Sequence, residues 1–106
     1  MPVCAHLDQV SEQTPSDTAG CTDCLRAGGQ WVHLRLCLSC GHVGCCDSSP
    51  NRHASKHARG TDHPVVASFE PGEDWSYCYV EDAMFILEGL DLPKRDPYPG
   101  EPAAER

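Results

Sequence analysis

The sequence predicts a small α+β domain: a short antiparallel sheet, one helix that bears metal ligands, and a C-terminal helix. Three observations carry this reading. Short alternating apolar runs separated by turn residues read as strands. A capped segment with two histidines four residues apart reads as a helix. Eleven cysteines and histidines arrive at metal-ligand spacings, as Cys4-x-His6, Cys21-x-x-Cys24, Cys37-x-x-Cys40, Cys45, His53, His57, His63 and Cys78. Zn²⁺ prefers four nitrogen or sulfur donors, and a Cys-x-x-Cys turn delivers two thiolates to one ion.

Taken in order, Asp8 to Gly20 is polar, contains Pro15, Ser16, Asp17 and Gly20, and reads as a surface loop. Gly28 and Gly29 follow the first cysteine pair and make a turn. From Trp31 to Leu36 the chain alternates, with Val32, Leu34 and Leu36 on one face and Trp31, His33 and Arg35 on the other, so a strand ends at Cys37. Ser49 is placed to cap a helix whose first position is Pro50, and Gly60 is a fitting terminator. Within such a helix, from about Pro50 to Arg59, His53 and His57 share a face. Val65 to Phe69, the turn Glu70-Pro71-Gly72-Glu73, and Trp75 to Val80 form a hairpin that returns Cys78 toward Cys4 and His6. Ala83, Met84, Leu87 and Leu90 make one stripe of a helix over Glu81 to Leu90. Residues 1–90 are thus expected to form the domain. Residues 91–106, with Pro93, Pro97, Pro99 and Pro102 among charged neighbours, are expected to be a disordered, acidic tail.

The 106 residues are 40% apolar only when eight cysteines are counted, which leaves little for an ordinary core. Domains this small commonly need disulfides or metal. Met1 to Leu7 carries neither a basic start nor an apolar run, so no signal peptide is expected and a reducing cytoplasm is the expected location. Histidine interleaved with cysteine also has no role in a disulfide scaffold. No stretch approaches the roughly 20 apolar residues of a membrane helix. The formal net charge of −8 opposes nucleic-acid binding, which draws its affinity from Lys and Arg on phosphates. A soluble monomer that meets a protein or peptide is the expectation.

The ordered set Cys4-Ala5-His6-Leu7, Cys21-Thr22-Asp23-Cys24, Trp31-Val32, Cys37-Leu38-Ser39-Cys40, Cys45, His53-x-x-x-His57, Asp62-His63-Pro64 and Tyr77-Cys78-Tyr79 resembles the ubiquitin-protease-type (UBP-type) zinc finger. Gly41 to Pro50 looks especially like small stand-alone bacterial members of that family. Spacing alone does not partition the ligands. The resemblance implies cross-braced sites, with Cys21, Cys24, Cys45 and His53 on one zinc and Cys37, Cys40, His57 and His63 on a second. It also implies a third site from Cys4, His6 and Cys78, with Glu81 where a late cysteine stands in three-zinc members. A carboxylate is a legitimate zinc donor; Asp82, Cys46 or water are the alternatives to Glu81.

In the family, the function is capture of a free C-terminal Gly-Gly tail of ubiquitin by aromatics and an arginine, and the resemblance assigns Trp31, Tyr77 and Tyr79 to such a surface. Cys45-Cys46-Asp47 stands where tail-binding members have Cys-Gly-Arg. A carboxylate repels an incoming carboxylate that an arginine fork would hold, which argues against ubiquitin-tail binding unless Arg35, Arg52 or Lys56 compensates. His33 reads as a strand residue, His42 as a loop residue and Cys46 as a spare thiol.

Two sites filled by four protein donors leave no position for substrate. Ala54 occupies the place of the catalytic Glu in a His-Glu-x-x-His protease motif. The expected function is therefore a zinc-binding, non-catalytic protein or peptide interaction module and not an enzyme. The alternatives are a Gly-Gly tail receptor and a zinc hydrolase with an open third site.

Overall fold

A computed structural model describes residues 7–90 and 92–98. Leu34 and Leu36 are fully buried and flank the half-buried Arg35 in strand β1 (Leu34–Cys37), so the alternation expected here is present over a shorter span. Val32 and His33 precede the strand and are exposed. Strand β2 (Val43–Cys45) pairs with β1 through Leu34 opposite Cys45 and Leu36 opposite Val43. The hairpin of β3 (Val65–Ser68) and β4 (Trp75–Cys78) follows, and β5 (Ala83–Ile86) closes an all-antiparallel sheet in the order β2-β1-β3-β4-β5. One face carries Leu34, Leu36, Val43, Val65 and Ala67, which join Leu38, Phe69 and four cysteines in the core. Among the described residues no helix is long and apolar enough to cross a membrane.

Two helices are built on the metal-ligand segments. In α1 (Thr22–Ala27) the cap is Cys21, whose sulfur accepts from the Cys24 backbone N–H, and Gly28 ends the helix at φ 77°. This helix was not expected, because six residues around a cysteine pair carry no periodic signal. Helix α2 (His53–Thr61) starts three residues later than the proline and serine predict. Ser49 does not cap it; its hydroxyl accepts from the backbone N–H of Val32 at 2.8 Å. Arg52 at φ 48° makes the entry, the helix runs through Gly60, and Asp62 ends it at φ 57°. Gly44 lets α2 lie against β2, since a Cβ there would stand 2.7 Å from the Ala54 nitrogen. That close approach puts His53 beside Cys45.

One element is of a different kind from that expected. The helix placed over Glu81 to Leu90 is instead the edge strand β5, with Ala83 opposite Cys78 and Met84 opposite Tyr77. Asp82 sits at φ 53° and breaks the start of any helix there. Phe85 and Ile86 suit a pleated strand, and Phe85 rather than Met84 packs on the core. Of the segment expected to be a tail, residues 92–98 are described. They lie along the fold: Arg95 is buried, its Nε donates to Glu70 at 2.8 Å, and its guanidinium sits 3.8 Å from the Tyr98 ring centre. The Glu70 carboxylate also accepts from the Leu34 N–H. Prolines remove donors from this segment, yet a buried carboxylate and the Phe69 carbonyl give Arg95 its partners. Residues 91 and 99–106 lie outside the described residues.

Candidate metal centre

The donor atoms of Cys21, Cys24, Cys45 and His53 lie within 4.8 Å of one another, and so do those of Cys37, Cys40, His57 and His63. Along the chain the two sets alternate in pairs, which is the cross-braced arrangement. It follows from topology. The turn into α1 supplies Cys21 and Cys24, the β1–β2 corner supplies Cys37, Cys40 and Cys45, and one helix sends His53 to the first set and His57 to the second.

In the first cluster His53 Nδ1 stands 3.2, 3.4 and 3.6 Å from the sulfurs of Cys21, Cys24 and Cys45, and Cys24 and Cys45 sulfurs are 3.9 Å apart. In the second, Cys37 and Cys40 sulfurs are 3.6 Å apart and His57 Nε2 is 3.2 Å from Cys40. A tetrahedral ion with Zn–S of about 2.3 Å and Zn–N of about 2.0 Å needs S···S of about 3.8 Å and S···N of about 3.5 Å. The observed separations fit that ion and are far from the roughly 2.05 Å of a disulfide. His63 Nδ1 is buried without a hydrogen-bond partner among the described residues, the kind of orphan that a metal bond resolves. Each cluster could hold a zinc ion.

The surroundings favour thiolate bound to cation. Backbone N–H groups of Cys24 and His53 donate to the sulfurs of Cys21 and Cys45, and the Asn51 amide donates to Cys24. Without a cation, burial pushes the Cys21 thiol up to about 12 and the Cys37 thiol up to about 11. Burial, with His42 and His63 adding, lowers His57 to about 4, so its imidazole is held neutral, as a ligand must be.

Of the third set, Cys4 and His6 lie outside the described residues. Cys78 is buried at the end of β4, and its sulfur donates to Glu81 Oε1 at 3.0 Å across the β4–β5 turn. Asp82 bonds instead to the Tyr77 hydroxyl, and Cys46 pairs with Ser49 Oγ at 3.6 Å. At Cys46 burial raises the thiol, but the Ser49 bond, the His33 and Ser48 backbones and nearby Arg35 lower it further than burial lifts it.

Tyr77 and Tyr79 meet edge to face with ring centres 5.1 Å apart and line a cleft of about 180 Å³. Its other walls are Arg35, Trp75, Val66, Met84, Cys46 and Asp47. The Arg35 guanidinium lies 4.5 Å over the Trp75 ring. Burial, then Asp47, raises the Tyr79 phenol. Trp31 is not in this cleft: its Nε1 donates to the Tyr98 hydroxyl at 2.8 Å, and its ring fills the space where Gly20 lacks a Cβ. Trp75 was missed, although period-two alternation from Tyr77 puts it on the same face. A second hollow of about 600 Å³, beside α2, shares Asp47 and Tyr79 with the cleft.

Among known proteins, the family model described as "Zn-finger in ubiquitin-hydrolases and other protein" matches residues 21–89. BRCA1-associated protein of Homo sapiens is 34% identical over 76 residues, covering 72% of this chain and 12% of that protein. Ubiquitin carboxyl-terminal hydrolase 16 of Mus musculus is 30% identical over 103 residues, covering 79% of this chain and 12% of that protein. The chain thus spans about an eighth of the length of the curated relatives it matches. The solution NMR structure of protein RPA1320 from Rhodopseudomonas palustris superposes with a TM-score of 0.74 at 44% identity, covering 89% of this chain and 96% of that one.

Proposed function

The chain belongs to the UBP-type zinc-finger family, and from that premise we propose that it is a zinc-held, non-catalytic module that binds a protein or peptide segment. The observation that carries this is the closure of both clusters by four protein donors each. A filled tetrahedral shell offers no place for a water or a substrate, so bound zinc supplies fixed bonds between distant chain segments and nothing to a reaction. Thiols available to metal also suit a reducing compartment such as the cytoplasm.

The binding surface of this reading is the aromatic cleft. Trp75, Tyr77 and Tyr79 give flat apolar area, and Arg35 gives a fixed positive charge. One observation favours a narrower reading, a receptor for a free Gly-Gly carboxyl tail. Arg35 stands among the aromatics and supplies the cation that Asp47 removed from its family position; Asp47, on the same wall, opposes it. Calorimetry with peptides ending in Gly-Gly separates the two. A tail receptor gives heat that C-terminal amidation and Arg35→Ala each abolish. No heat at millimolar peptide rejects the tail reading, and a ligand whose binding survives Trp75→Ala rejects the cleft as the surface.

A further inference from the structure

His42 makes a contact that neither cluster needs for its donors. It lies in the corner between β1 and β2, and its ring is stacked on that of His57 with centres 4.1 Å apart and planes 11° from parallel. Its Nε2 is 2.9 Å from Oδ2 of Asp23, which sits between Cys21 and Cys24 of the first cluster. Its carbonyl accepts from the Cys37 N–H at 2.9 Å. The side chain is only 18% exposed. His42 is therefore bound to one cluster through a carboxylate and to the other through a ring face and a backbone bond.

We infer that His42 is a positioning residue that couples the two clusters, holding the His57 imidazole against the Cys37–Cys40 turn while Asp23 holds His42. This rests on the zinc reading above. His42 is not itself a donor: each cluster has four without it, and its Nε2 is engaged by Asp23. The stack restricts rotation of the His57 ring, so less side-chain freedom is lost when Nε2 takes a metal. Filling the first cluster orders the Cys21–Cys24 turn, Asp23 with it, and through His42 the ligand of the second. Such a coupling is reciprocal, so each ion strengthens the binding of the other.

Cobalt(II) titration of the full chain tests this, because Cys₃His and Cys₂His₂ centres absorb differently and are followed separately in one sample. In the wild-type chain the two clusters fill with positive cooperativity. His42→Ala weakens the Cys₂His₂ centre by roughly tenfold, the usual scale for a supporting contact of a ligand. His42→Phe keeps a ring on His57 and recovers most of that affinity, yet loses the cooperativity with the Asp23 contact; Asp23→Ala, which removes the acceptor, behaves likewise. An alanine variant within twofold of wild type at the Cys₂His₂ centre overturns the role of His42. So does an equal loss at both centres, which marks general destabilisation, and where the His42→Ala chain does not fold the His42→Phe and Asp23→Ala variants decide. A wild-type chain that takes up no cobalt sinks the metal reading itself.

Discussion

The two clusters share a fold and a donor chemistry but not a position. Cys21, Cys24 and Cys45 are completely buried and belong to the same core as Leu34, Leu36 and Phe69. In the second cluster only Cys37 is buried; Cys40 is exposed, and His57 and His63 are half-buried. At the first, ligation and apolar packing are therefore one event, since the cysteines are core residues whose charge only a cation can offset. At the second, a bound metal would fasten the helix and the following loop to the β1–β2 corner. The lesson is that equal ligation does not mean equal structural weight; burial sets it.

Four measurements probe the difference between the clusters. Cys24→Ala should abolish the cooperative thermal transition in circular dichroism, because structural zinc contributes about 10 kcal/mol or more, as much as the whole stability of a small domain. Cys40→Ala should keep a transition at lower temperature, and equal collapse of both variants would contradict the asymmetry. Proton competition is the next test. Burial raises Cys21 to about 12 and Cys37 to about 11, so at neutral pH each holds a proton that a metal must displace. Zinc affinity at each cluster should thus fall with falling pH by at least about one log unit per unit, read between about pH 7 and 8 by competition with a dye, and an affinity independent of pH at either cluster would contradict the burial of its thiol.

Smaller effects follow from packing and access. Gly44→Ala drives a methyl into the Ala54 backbone, and should cost about 2 kcal/mol in urea unfolding while weakening the first cluster more than the second. Last, a thiol alkylating reagent applied to the zinc-loaded chain should label Cys40 before Cys21, Cys24 or Cys45, as peptide mass mapping would reveal. Labelling in the reverse order would mean that the first cluster opens more often than its burial implies.

Much of the site was legible in the chain. Cys-x-x-Cys turns and a four-residue histidine step are local, so spacing alone points to metal, and the resemblance supplied the pairing that the structure brings together. The hairpin through Glu70 to Glu73 was legible for the same reason. Ala83 to Ile86 was not, because Ala83, Met84, Leu87 and Leu90 also satisfy a helical stripe; the open edge of β4 and the left-handed Asp82 select the strand. Arg95 looked like one more charge among prolines until the buried Glu70 across the fold gave it a partner.

The chemistry can be read along the chain: thiol and imidazole donors at spacings that suit zinc, a net charge of −8, and little apolar material beyond the cysteines. Folding added the company each side chain keeps. It placed Arg35 over Trp75, sent Trp31 to Tyr98, and set His42 between Asp23 and His57. Donor spacing is carried by a few covalent bonds and can be read along the chain, whereas these contacts join residues from different strands and turns that come together only when the backbone folds and its ladders form.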